Sequence, residues 1–135
     1  MPNDRVELQA EIEAPRRRIF ELLATQQGLA RWIDDVQLEP RLDGPVRLRL
    51  RDAVGIGRVI ALSPPQHISF SWDWEAEPLG QPSVVAFDAI DHGARTHVTL
   101  RHVGLRGAQQ LDDHMALWSY WFERFKEAAG ALRYP

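Results

Sequence analysis

Hydrophobic residues alternate with polar ones from the start of the chain: Val6, Leu8, Ala10 and Ile12 are separated by Glu7, Gln9 and Glu11, the period-two pattern of a strand with one buried face. Pro15 then suits a first helical turn, where no amide hydrogen is needed, and Ile19, Phe20, Leu22 and Leu23 predict a short helix ending near Ala24. Thr25 is placed to cap a second short helix over Gln26 to Ile33, which the polar pair Asp34-Asp35 ends. From there to residue 103 the pattern is one of strands. Val46, Leu48 and Leu50 alternate with Arg47, Arg49 and Arg51, so the arginines form a ladder on a solvated face. Gly55 and Gly57 frame the entry to a strand over Arg58 to Leu62, which Ser63-Pro64-Pro65 closes with a turn.

The next strand is the most aromatic. Ile68, Phe70, Trp72 and Trp74 share one parity, and a polar loop from Glu75 to Pro82 follows. Ser83 to Asp91 and Ala94 to Val103 read as a hairpin. A two-residue loop at His92-Gly93 would pair Phe87 with Val98 and Val85 with Leu100 inside, and Asp88 with His97 outside. Finally Leu111, Met115, Trp118, Phe122, Phe125, Ala129 and Leu132 recur at spacings of four and three. They form one apolar helical stripe, flanked by Leu117 and Trp121, on a helix expected over Asp112 to Ala129. A coiled-coil seam would be longer and would not take such large rings, so the stripe is expected to lie on the sheet. The fold class is α+β.

With 135 residues the chain suits a single domain, 1–135. There is no cysteine, which removes disulfides, thiolate metal sites and thiol nucleophiles. The start lacks the basic-then-apolar pattern of an export signal and no run of 18 apolar residues occurs, so a cytoplasmic protein without membrane insertion is expected. The formal charge of -3 is spread along the chain, which argues against a nucleic-acid partner.

The order and spacing of several motifs resemble a known superfamily. They are Glu11-Ile12-Glu13-Ala14-Pro15 running into Ile19-Phe20, Gly28-Leu29-Ala30-Arg31-Trp32, and Gly57-Arg58-Val59 ahead of Pro64-Pro65. Ile68-Ser69-Phe70-Ser71-Trp72, Thr96-His97-Val98-Thr99-Leu100 with Gly104, and Trp118 with Phe122, Phe125 and Lys126 complete the set. The chain resembles the helix-grip (START-like, SRPBCC, Bet v 1-like) proteins, and within them the group related to the C-terminal domain of the activator of Hsp90 ATPase. The resemblance implies a curved antiparallel sheet of six or seven strands around the terminal helix, with a cavity between them. It also implies three kinds of function: a carrier of an apolar or aromatic small molecule, a chaperone-associated domain, or a polyketide cyclase- or dehydratase-like enzyme. Leu117 stands where relatives often have glycine before the helix tryptophan, which would narrow the cavity mouth. Asp43-Gly44-Pro45 replaces a glycine pair before the third strand.

Candidate chemistry is sparse. The five histidines show no close metal-ligand spacing, and neither a phosphate loop nor a nucleophile elbow is present, so neither metal nor cofactor is expected and no catalytic residue is assigned. His102, with Asp112, Asp113 and His114 expected at the helix start, is the one polar grouping able to polarise a ligand or relay a proton. Carboxylates there would equally serve the helix N-terminus. Asp73, Glu75 and Glu77 read as a solvated rim. The expected ligand site is a cavity lined by Phe70, Trp72, Trp74, Phe87, Val98, Leu100, Met115, Trp118 and Phe122, with His102, Asp113 and His114 at its mouth. The expected partners are a small apolar or aromatic molecule and, in the alternative, a chaperone, with the protein a monomer or a homodimer.

Overall fold

A computed structural model describes residues 5–133. The elements run β1 (Arg5–Ile12), α1 (Arg16–Ala24), α2 (Gln26–Leu29), β2 (Asp35–Leu38), β3 (Pro45–Leu50), β4 (Ala53–Ser63), β5 (His67–Ser71), β6 (Asp73–Trp74), β7 (Val84–His92), β8 (Arg95–Val103) and α3 (Gly107–Gly130). The strands form one antiparallel sheet in the order β1-β8-β7-β5-β4-β3-β2, with β6 paired on β4 off this path. The long helix α3 packs along β1 and against α1. No described helix is long and apolar enough to cross a membrane.

The period-two pattern holds in β3, where Val46, Leu48 and Leu50 are buried and Arg47 and Arg49 are exposed. Three boundaries differ from the expectation. Pro15 is the N-cap of α1 rather than its first helical residue, and its extended ψ of 145° fits that place. The second helix stops at Leu29; residues 30 to 33 continue as turns, among them Trp32 N–H to Leu29 O at 3.1 Å. Thr25 does cap it, accepting from Gly28 N at 2.9 Å while its hydroxyl donates to Glu21 O at 2.7 Å. Gly55 and Gly57 lie inside β4, not before it. A Cβ on Gly55 would meet Trp72 Cη2 and Cζ2 at 2.1 Å, and one on Gly57 would meet Ser71 O at 1.7 Å. Both glycines let a neighbouring strand or ring come closer than any side chain permits.

The hairpin also differs. Its loop is Gly93-Ala94, with Gly93 at φ +66°, so Phe87 pairs with Leu100, Val85 with His102 and Asp88 with Thr99. The slide is two residues from the expected pairing, which keeps every side chain on its expected face. Asp88 and His97 both lie on the outer face but do not meet. Asp88 binds His67 Nδ1 at 2.8 Å and Arg101 Nη1 at 3.3 Å, while His97 binds Glu11 at 2.6 Å.

The terminal helix begins at Gly107, five residues before the expected start, so Asp112 and Asp113 sit within it and leave its first turn without a carboxylate. Its buried side chains are His114, Trp118, Trp121, Phe122, Phe125 and Ala129. Met115 is 37% exposed and belongs to neither core nor cavity; His114, one position earlier, takes its place in the stripe. Positions four and three before Trp118 both neighbour it on the helix surface, on opposite flanks, and it is the His114 flank that the sheet side covers.

Candidate functional site

Between sheet and helix the aromatic rings meet one another. Phe70 and Phe87 lie 5.9 Å apart between ring centroids, Trp72 and Trp118 5.5 Å, Trp32 and Phe125 5.4 Å, and Phe122 and Phe125 5.5 Å. A flat molecule between two rings needs about 7 Å, two contacts of roughly 3.5 Å, so none fits there. Phe70, Phe87, Val98, Leu100 and Trp118 are wholly buried and Phe122 is 4% exposed. These expected cavity residues are core. Trp32, absent from the expected set, fills the centre and fixes α1 by donating its indole N–H to Leu22 O at 2.8 Å.

The open site lies at the mouth, around Trp74. A groove of about 520 Å³ runs along Asp52, Ala53, Val54, Trp74, Glu75, Ala76 and Glu77. A second groove, of about 340 Å³, is lined by Trp74, Pro78, Leu79, Gln110, Asp113, His114 and Leu117 among others. Leu117 thus stands at the mouth, opposite the loop that follows β6. That loop is pinned to the helix: Gln110 Nε2 donates to Leu79 O at 3.2 Å, and Gln81 Nε2 donates to Gln110 Oε1 at 2.6 Å and to Gly104 O at 3.0 Å. Asp73 Oδ1 closes its turn by accepting from the amides of Trp74 and Leu79 at 2.8 and 2.7 Å. Glu75 binds Arg47 on the exposed rim.

Behind the mouth, two histidines knit the tryptophans together. Trp74 Nε1–H donates to His114 Nε2 at 2.9 Å, and His114 Nδ1 reaches Gln110 O at 2.7 Å. A carbonyl only accepts, so this bond pattern assigns the proton of a neutral His114 to Nδ1. Trp118 Nε1–H donates to His102 Nδ1 at 3.0 Å, which leaves His102 Nε2–H to donate to Ser83 Oγ at 2.9 Å. Ser83 in turn donates to Trp72 O at 2.6 Å. The same logic makes His102 the neutral Nε2–H tautomer. Burial, and after it the neighbouring His114, pushes the His102 pKa down from 6.5 to about 3. The two imidazoles meet edge to face at 5.0 Å between centroids.

The expected grouping of His102 with Asp112 and Asp113 therefore resolves differently. His102 and His114 come together; both carboxylates are exposed, and Asp113 takes a bond from Gln109. His102 was legible inside by parity, since Val98, Leu100 and His102 share a face of β8. No described hydrogen bond joins either histidine to a carboxylate; each instead holds one indole, His114 that of Trp74 and His102 that of Trp118. Among the described residues no group of histidines and carboxylates is arranged to hold a metal ion.

A curved antiparallel sheet gripping a long C-terminal helix, with aromatic rings packed between them, defines a helix-grip protein. The family model described as Activator of Hsp90 ATPase homolog 1-like protein matches residues 13–130, and the chain belongs to that family. Among solved structures it is similar to an HSP90 activator from Plasmodium falciparum, PFC0360w, at 15% identity and a TM-score of 0.80 over 95% of this chain and 97% of that one. It is similar to the Aha1 dimer from Colwellia psychrerythraea, at 18% identity and 0.76 over 95% and 97%. CalU16 from Micromonospora echinospora shares 19% identity at 0.77 over 93% and 75%. At these identities the likeness establishes the fold. No protein with a curated description matches the sequence.

Proposed function

We propose that the protein is a small-molecule binding module that takes a flat, largely apolar ligand at the mouth of the grip, stacked on Trp74. The observation that supports this is that Trp74 lines two adjoining open grooves, at the edge of a core whose rings are in contact. Leu79, Leu117 and Val54 provide apolar surface beside it, and Gln110 and His114 supply polar atoms to orient a ligand. A half-exposed site with no buried counter-charge gives micromolar rather than nanomolar affinity. The test is a titration of sterols, fatty acids, flavonoids and polycyclic aromatics at about 1 micromolar protein, read by tryptophan fluorescence and melting temperature. Binding that weakens at least about tenfold in Trp74→Ala supports the reading, a factor worth 1.4 kcal/mol. A panel that leaves both signals unchanged overturns it.

The filled core and the family support a second reading, a chaperone-associated interaction domain with no ligand. Co-elution of the purified protein with the Hsp90 of its own source, and stimulation of that ATPase, would favour it over the first.

A further inference from the structure

Resting on that reading, we propose that Trp74 is a displaceable gate that swings outward and stacks on the ligand taking its place, and that this ligand carries a neutral oxygen acceptor, a ketone, quinone or phenolic oxygen, for the indole N–H of Trp72.

Trp74 is weakly held for a ring at the edge of a core. It ends a two-residue strand paired only with β4, and its indole makes one hydrogen bond, to His114. Open grooves adjoin it on two sides. Immediately inside lies Trp72, 5.3 Å away between centroids and 2% exposed. Among the described residues, Trp72 Nε1 is the one buried side-chain polar atom with no hydrogen-bond partner. Its surroundings explain why. The rings of Phe70, Trp74 and Trp118 enclose it, and the six-membered ring rests on Gly55, which offers no side chain. His102 also faces it, but both imidazole nitrogens are committed, one to Trp118 and one to Ser83.

An indole N–H only donates, and a buried donor left unpaired is costly. The acceptor must come from a guest, and the route to Trp72 runs past Trp74. The guest is neutral for two reasons. Among the described residues lining the two grooves there is no Lys or Arg to offset the desolvation of a carboxylate, and the mouth carries Asp52, Glu77 and Asp113. Trp74 occupies the space of a flat bicyclic ring, so a flat aromatic body of similar width takes its place.

The probe pair is 9-fluorenone and fluorene, which share a tricyclic body and differ by one carbonyl oxygen. Affinities are measured by calorimetry on wild type and Trp72→Phe, with the indole N–H resonances followed by NMR in the wild type. Fluorenone is expected to bind about tenfold more tightly than fluorene, and that preference to vanish in Trp72→Phe. The Trp72 N–H signal is expected to move downfield with fluorenone only, which decides the matter even if Trp72→Phe does not fold. In stopped flow, His114→Leu, which frees the Trp74 indole, is expected to speed association at least about threefold.

Equal affinities with an unmoved Trp72 signal would overturn the acceptor assignment while leaving binding at the mouth intact. An unchanged association rate in a folded His114→Leu would overturn the gate. Failure of both probes, and of the wider panel, to bind at all would instead defeat the binding reading itself.

Discussion

Replacing Gly55 by alanine tests the core where it is tightest. The added Cβ would sit 2.1 Å from Trp72 Cη2 and Cζ2 and 2.7 Å from Cε2, against about 3.5 Å for carbon atoms in contact. Something must therefore move by roughly 1.5 Å. The indole cannot swing away, because Phe70, Trp74 and Trp118 meet it on other sides, and Gly55 is paired with Leu48 and Trp74 across the strands. Overpacking of this kind costs about 1–3 kcal/mol, and the rigidity of both partners places this case near the upper end. For a chain of this length that lowers the melting temperature by roughly 10 °C.

The assay is urea unfolding followed by tryptophan fluorescence and far-ultraviolet circular dichroism, with the midpoint falling and the slope unchanged. Trp72→Phe removes the atoms that clash, so the double variant should be more stable than the sum of the single losses by about 1 kcal/mol or more. Gly93→Ala is the control. Nothing lies within 4 Å of its added Cβ, and only its left-handed backbone, φ +66°, penalises the change, by about 1–2 kcal/mol. If Gly55→Ala unfolds within about 0.5 kcal/mol of wild type, or the double variant shows no coupling, then Trp72 is not wedged as described.

Other outcomes follow from the same packing. Trp118→Ala should cost about 3–5 kcal/mol, and a chain ended before Gly107 should lose its near-ultraviolet circular dichroism and its cooperative melt. Because the His102 pKa falls from 6.5 unfolded to about 3 folded, the unfolded chain binds one more proton between those values. Stability should therefore be full above pH 6.5 and fall on acidification by up to about 1.4 kcal/mol per pH unit, and His102→Gln should flatten that slope in a pH series of urea melts. On the outer sheet face, His97→Ala should change stability by less than about 1 kcal/mol, since its pairing with Glu11 is solvent-screened. A larger loss would mean that the face is covered.

Much of the fold was legible because its signals are local. Alternation in β1 and β3, the Thr25 cap, the shared parity of Ile68, Phe70 and Trp72, and the recurrence of Trp118, Phe122 and Phe125 each follow from the chain's own periodicity. The parity that buries Leu100 also buries His102. What local pattern could not supply was the partner across the gap. The same even spacing fits hairpin registers two residues apart, and only the Gly93-Ala94 turn selects one of them. Large rings on two facing elements are equally consistent with an empty cavity and a filled one; Gly55, by admitting Trp72, and Trp32, by entering from the turns after the second short helix, decide for the filled one. The sequence alone therefore determined a long helix lying on a sheet, because periodicity specifies which face of each element is apolar, while the curvature of the grip came from the family resemblance. Tertiary structure decided that the rings fill the interior and that open grooves adjoin Trp74, because the space left between apolar faces depends on how side chains distant in sequence interlock.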